Sequence, residues 1–411
     1  MPEITMNDRL QIMQDAIDLK PTSRVPVAPF IANLPLHFAT NDVNFRDVMY
    51  NPEKAADAFI EFYRWFKPDM SIGTLFHCGP SNEIAETNYY DWPGQPGKNV
   101  PDYTTYQCHE IEYMMADEYP ELLSDYTGFM LRKLIPRAYP GVAALSGIGF
   151  SPSNLMGSSG LAALMAPPVL EAYGKLQKMS EFEAAHAAAA GRVGAFLQES
   201  GIPTMFQGIG LAPFDALSDN FRGTAGAWED LLSQPDNVQA ACDLFADVQI
   251  ASWGYYDYLP LPFKCVFFPL HKGMDGLMSP EQFDKIYWQP LLKCVNHLAN
   301  RGIYSLIYSE GFYNTRIHAM EGLPVGKTIV HMEYADPAEC KKAFGDTAVL
   351  SGFIPLLNLD WGTKEKVVEE TKYFLDKLAD GKGYIFDTVA AIETAKRENF
   401  DAMMETIYNW Y

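Results

Sequence analysis

Short runs rich in valine, isoleucine, phenylalanine and tyrosine recur along this chain, each followed by a stretch with helical spacing. That alternation limits the fold more than any other feature. Runs at 24–30, 70–76, 142–148, 203–210, 264–270, 303–309, 328–330 and 348–354 read as buried strands, and 383–386 adds a last short one. Segments at 52–66, 180–200, 227–251, 280–299, 336–344, 364–379 and 393–410 read as the helices between them. Strands covered by helices on both faces lose the apolar–polar alternation of half-exposed strands. Eight alternations of this kind predict a single α/β domain over 1–411, a (β/α)8 barrel.

A helix at 6–18, with Met6, Leu10, Met13 and Ile17 on one face, forms an N-terminal extension. After the second strand the pattern breaks at about 77–120, a stretch rich in aromatics, proline and glycine. So long a connection predicts a lid-like insertion over a pocket, with a surface elaboration or a subunit contact as the other readings.

Composition narrows the partners. With 48% hydrophobic residues among 411, the chain can bury a large core. A net charge of −21 argues against nucleic acid and against anionic membrane surfaces. Six scattered cysteines without a CxxC pair are expected to be reduced thiols, which points to the cytoplasm. The acidic start Met1-Pro2-Glu3-Ile4 has no signal-peptide pattern, and no run of eighteen apolar residues suggests a membrane span.

In a parallel barrel, ligand-binding groups stand at the carboxyl ends of the strands. Glu310 ends the run 303–309, His331 ends 328–330, and His271 follows 264–270. A carboxylate at the end of a buried strand needs a cation, a proton or solvent. Two imidazoles and a carboxylate with an open position compose a catalytic zinc set. The same three residues also suit the hydrogen-bonded wall of a wet pocket, and both readings stand. Glu333 shares a strand face with His331 and is a substitute ligand. Tyr308 is a donor to a substrate oxygen or a packing residue. Asp215, beyond Gly208-Ile209-Gly210, is expected to face the pocket, and Tyr89, Trp92 and Tyr106 of the insertion to contact substrate. His77, Cys78, His109 and Glu110 rank second, and His186, flanked by alanines on a helix, reads as structural.

Several short stretches resemble the uroporphyrinogen decarboxylase superfamily. They are Arg24-Val25-Pro26-Val27, Ser279-Pro280-Glu281-Gln282-Phe283, Gly362-Thr363-Lys364-Glu365-Lys366-Val367 and Gly383-Tyr384-Ile385-Phe386. The superfamily fold is a (β/α)8 barrel. Porphyrinogen decarboxylases carry an arginine-rich stretch after the first strand, whereas Phe30-Ile31-Ala32-Asn33-Leu34-Pro35 has no arginine, and no catalytic aspartate stands near Leu75-Phe76. The His-x-Cys zinc motif of thiol-directed methyltransferases is replaced by Tyr308-Ser309-Glu310, and an alanine stands in Asp387-Thr388-Val389-Ala390 where they have a further cysteine.

What remains resembles the O-demethylase methyltransferases. The insertion, with Trp92-Pro93-Gly94, Tyr106-Gln107 and Glu112-Tyr113-Met114, is similar to that branch. The resemblance implies transfer of a methyl group from a methoxylated aromatic compound to the cobalamin cobalt of a separate corrinoid protein. It implies Glu310 and Tyr308 as catalytic residues and zinc on His271, Glu310 and His331. A homodimer stays open. The alternatives are a decarboxylase acting on a small acid and a non-catalytic ligand-binding barrel.

Overall fold

The computed structural model describes residues 4–410 except 75, 151 and 153–156. Among them the strands are β1 (Tyr90–Asp91), β2 (Gln107–Cys108), β3 (Gly208–Ile209), β4 (Cys265–Leu270), β5 (Tyr304–Phe312), β6 (Thr328–Tyr334), β7 (Val349–Ile354) and β8 (Tyr384–Thr388). The first two pair as a small antiparallel hairpin, and β3 to β8 form a parallel sheet in sequential order. Two extended segments close it into a barrel. Val27 bridges Phe386 and Ile31 bridges Ile392 on one side, while Ser71 bridges Thr204 on the other. The amide of Asp69 donates to the Val27 carbonyl at 2.6 Å, which joins the two segments. With them the barrel has eight staves.

Period-2 geometry sorts the strand residues into two cores. Cys265, Phe267, Tyr304, Leu306, Tyr308, Ile329, Val349 and Ile385 pack together inside the barrel. Their neighbours Val266, Phe268, Ile307, Val330, Leu350 and Phe386 pack outward against the helices. A fully buried aliphatic or aromatic side chain contributes about 1.5–3 kcal/mol, so a polar substitution at Ile329 or Ile385 would strike the tightest layer.

Helix α1 (Met6–Ile17) closes the opposite end. Thr5 caps it, its side chain accepting from the Asp8 amide while Asp8 bonds back to the Thr5 amide. Ile12, Met13, Ala16 and Ile17 join the barrel-interior core. The buried face is thus rotated from the predicted one: Met6 and Leu10 are half-buried, and Arg9 is buried in their stead. The Arg9 guanidinium donates to the carbonyls of Pro68 at 3.0 Å and Gly201 at 3.2 Å. Arg24 grips Asp69 with two bonds of 2.5 and 2.6 Å, and Asp69 also accepts from the Val27 amide.

Two strand readings change. The run 142–148 is not a stave; Pro140–Gly147 is a 3-10 helix. Its apolar residues bury Val142 and Leu145, three apart, against Ala172, which is helical spacing in a run too short to reveal its period from sequence. The eighth stave is instead β8, which covers the last short run. The strand expected at 328–330 runs on to Tyr334 in β6, with consequences for His331. The helix expected at 180–200 begins much earlier, as Pro167–Glu199. Among the described residues no helix is long and apolar enough to cross a membrane.

The insertion lies against the carboxyl ends of the staves. It carries the helix Gly79–Ala85 and the β1–β2 hairpin. Arg222, buried, anchors it by donating to the Met114 carbonyl and pairing with Asp230, to which the Tyr119 hydroxyl also donates at 2.8 Å. At Gly223, in the left-handed region, a Cβ would meet the Glu110 carbonyl oxygen at 2.8 Å, so only glycine lets the insertion lie this close.

Candidate active site

A cavity of about 670 Å³ opens at the carboxyl ends of the staves. Phe30, Phe45, Phe59, Phe76 and Phe267 are among its walls. The ionisable and hydroxyl groups on its lining are His77, Thr74, Thr105, Tyr106, His271, Tyr308, Glu310, Glu333 and Glu393. No arginine or lysine is among the lining residues. The cavity is therefore an aromatic chamber with an acidic side.

His271 follows the last residue of β4, and two aspartates hold it. Asp215 and Asp219 stand four apart, hence on one helical face. Asp215 in the helix Pro213–Leu217 is fully buried and accepts from the amides of His271 (2.8 Å) and Lys272 (3.0 Å) and from the Tyr287 hydroxyl (2.7 Å). It fixes the turn beneath the pocket and does not line it, contrary to the sequence expectation. A fully buried carboxylate finds its donors in backbone before it reaches a ligand. Burial pushes its pKa up to about 6, against the opposing pull of His271.

Asp219 sits in the π-helical turn Ser218–Arg222, a local widening of a helix that is frequent at functional sites. Its Oδ2 lies 2.5 Å from His271 Nδ1, and its Oδ1 lies 3.3 Å from Lys272 Nζ. Lys272 also reaches Glu110 of the insertion at 3.0 Å. Burial alone pulls the His271 pKa down, but the bond to Asp219 and the charges of Asp215, Asp219 and Glu310 outweigh it and push it up to about 9. At neutral pH the ring is an imidazolium. Its Nδ1 is engaged and its Nε2–H has no protein acceptor among the described residues.

Glu310 owes its position to an irregularity in β5. The β5–β6 register shifts between Ser309 and Phe312, and Gly311 there adopts φ +90°. A Cβ at Gly311 would lie 2.8 Å from Met274 Sδ. The Gly311 amide donates to Glu333, which holds the two carboxylates on one side of the mouth. Burial raises the Glu310 pKa; His271 opposes this and Glu333 adds to it.

His331 is elsewhere. It pairs with Tyr308 in register, is fully buried, and its ring stacks on the Tyr308 ring at 3.6 Å and 7°. Its Nε2 donates to the Thr388 carbonyl at 2.8 Å and lies 3.6 Å from Asp387 Oδ2. Burial drives its pKa down to about 3, so it is neutral. Because β6 continues past residue 330, His331 is mid-strand and Glu333 is the inward residue at the mouth. The expected zinc set of His271, Glu310 and His331 is therefore not assembled: His331 is not on the cavity lining. Among the described residues no three His, Cys, Asp or Glu side chains are grouped to hold a metal ion. The donor set does not fit the predicted ion.

Tyr308 lines the cavity, and its buried hydroxyl has no partner among the described residues. Of the three insertion aromatics expected at the substrate, Tyr106 lines the cavity, its ring 4.5 Å from His77. Trp92 does not; it is buried with its Nε1–H on the Tyr50 hydroxyl at 3.0 Å. Tyr89 does not either, since its hydroxyl bonds Asn220. Both support the insertion and leave contact to Tyr106. His186 bonds the Met49 carbonyl at 3.0 Å inside its helix packing. Leu75, where the sequence comparison sought an aspartate, lies outside the described residues. The residues that sequence reasoning missed are Asp219, Lys272 and the phenylalanine walls. Asp219 had one legible signal, its four-residue spacing from Asp215.

Residues 163–410, more than half of the chain, match the family described as Uroporphyrinogen decarboxylase (URO-D). The chain belongs to that family. Among solved structures it is similar to a methyltransferase from Methanosarcina mazei, at a TM-score of 0.55 and 15% identity, with 100% of each chain covered. At that identity the likeness speaks for the fold, a URO-D barrel. No curated protein matches the chain.

Proposed function

We propose that this URO-D family barrel is a methyltransferase, taking a methyl group from a small methoxylated aromatic compound and delivering it to the cobalt of a corrinoid carried by a separate protein. The observation behind this reading is the aromatic chamber at the barrel mouth, with one cationic donor, His271, and no arginine or lysine on its lining. A polyanionic acid would find little to neutralise it there, which counts against decarboxylation of such a substrate. The similarity in fold to a methyltransferase supports the same direction.

The chemistry required of the protein is assistance to a poor leaving group. When an aryl methyl ether loses its methyl to a nucleophile, the C–O bond breaks and the oxygen keeps the pair. The phenolate formed has a conjugate-acid pKa of about 10. His271, with a pKa of about 9, is close enough to that value to donate Nε2–H to the oxygen and pass its proton as the bond breaks. Asp219 holds Nδ1–H and so fixes the ring orientation. Solvent returns the proton after the phenol leaves. The corrinoid, when its carrier docks over the mouth, supplies the cobalt nucleophile. Phe30, Phe267 and Tyr106 flank the aromatic substrate. Zinc has no part in this reading, because the residues expected to bind it do not converge.

The test is incubation with cob(I)alamin on a carrier protein and a panel of methoxylated aromatics. The expected result is methylcobalamin absorbance with one phenol released per methyl transferred. No methylcobalamin from any member of the panel, or carbon dioxide release from an aromatic acid, would overturn the proposal.

A further inference from the structure

The cavity's polar groups are unevenly completed. Glu310 reaches the lining with no hydrogen bond or ion pair from any described residue, and Glu333 beside it receives the Gly311 amide alone. Half-buried carboxylates short of donors are costly unless a ligand completes them. Tyr308, which also lines the cavity, is 4% exposed, and its buried hydroxyl has no partner among the described residues. It lies within the electrostatic reach of Asp387 first and of both glutamates after it. The nearby cations form their bonds elsewhere, His271 through Nδ1 to Asp219 and Lys272 to Asp219 and Glu110, and reach Glu310 only through their charge. Phe30 and Phe267 line the same cavity, their ring centroids 5.4 Å apart and each packed against Tyr308. Ring faces carry the negative part of the aromatic quadrupole and attract cations.

Two half-buried carboxylates with few protein donors, a hydroxyl without a partner among the described residues and a lining of aromatic rings together suit a positively charged nitrogen. A carboxylate-bearing aromatic would meet like charges at the same place. We propose that the ligand of this cavity is a cationic aromatic amine, its ammonium group held by Glu310 and Glu333 against the Tyr308 hydroxyl and the Phe30–Phe267 wall. That the amine also carries the methoxy group rests on the function proposed above; the preference for positive charge does not.

The experiment measures binding without any corrinoid, by calorimetry, for three matched ligands: 4-methoxybenzylamine, 4-methoxybenzyl alcohol and 4-methoxybenzoate. The amine is expected to bind about tenfold or more tighter than the alcohol, with the benzoate weakest. Glu333→Gln should shrink the amine-to-alcohol ratio several-fold, with thermal melting to check that the variant folds. The wild-type ligand series decides the matter even if that variant fails to fold. Equal binding of amine and alcohol, or tightest binding of the benzoate, overturns the proposal. Methylcobalamin formed from the alcohol as readily as from the amine would overturn charge selection and leave methyl transfer standing. Amine-selective binding with no methyl transfer from any of the three would support the cation site and overturn the proposed function.

Discussion

His271 directly follows β4 and His331 lies on β6, the two strands that flank β5, and the fold charges the first and leaves the second neutral. Both lose ionisation free energy to burial. His271 recovers it, because Asp219 bonds its Nδ1 and three carboxylates surround it, so its pKa rises to about 9. His331 has a carbonyl on Nε2 and an aromatic ring on its face, and the one acid beside it, Asp387 at 3.6 Å, is itself pushed up to about 8 by burial, so burial takes the His331 pKa down to about 3. A histidine in this barrel is thus a charged donor or a neutral packing group according to whether the acids beside it are themselves ionised, not according to its own position in sequence. Gly352 shows how far the protein goes to bury the second: at φ +93°, a Cβ there would lie 2.9 Å from the His331 ring.

The contrast can be broken most directly by deleting each ring. His271→Asn should lower kcat for methyl transfer by about 10² to 10³, as loss of one preorganised donor typically does, while KM changes far less. A KM effect with unchanged kcat would reduce His271 to a positioning role. His331→Ala should act on stability: the void beneath Tyr308 should cost about 2–5 kcal/mol, on the scale of other buried large-to-small changes, read by urea unfolding. A full loss of activity in a stably folded His331→Ala would erase the distinction between the two residues.

The pH dependence sharpens the same comparison, with opposite signs. His271 is raised above its ordinary value of 6.5, so the stability it contributes is complete below that pH and is lost as pH climbs through about 9. Asp219→Asn should move the alkaline decline of kcat, and the matching loss of thermal stability, to lower pH. An unshifted profile would detach Asp219 from His271. His331 is depressed, so the unfolded chain takes its proton first, and stability falls as pH drops from about 6.5 toward 3. Replacement by a ring that does not titrate, His331→Phe, should flatten the change in melting temperature between pH 7 and pH 4 relative to wild type.

The smallest effect is expected at Tyr308, which stacks on His331 and lines the cavity that His271 also lines. Tyr308→Phe keeps the stack on His331 and removes a buried hydroxyl without a partner, so stability should stay within about 1 kcal/mol. Ligand binding should weaken by about 0.5–1.5 kcal/mol, the worth of one hydrogen bond. Binding unchanged and stability raised would mean that the hydroxyl serves no ligand.

From sequence alone, much of this fold was legible. Strand runs such as Cys265–Leu270 and Val349–Ile354 carry enough β-branched and aromatic residues to declare themselves, and their recurrence with helical segments implies the barrel. The family resemblance was carried by local stretches that need no partner to be read. That Glu310 and His271 lie near the carboxyl ends of their strands was legible for the same reason, although β5 runs on past Glu310 to Phe312.

Tertiary structure decided the rest. Whether 142–148 is strand or helix depends on what it packs against, and it meets Ala172 on a helix. Whether His331 reaches the mouth depends on how far β6 stays paired with β5, a matter of hydrogen bonds to another segment. The charge on His271 depends on Asp219, fifty-two residues earlier in the chain and brought alongside by the fold. Residue identity and local periodicity are written in the chain, but burial, register and the fields of distant charges exist only once the barrel has closed.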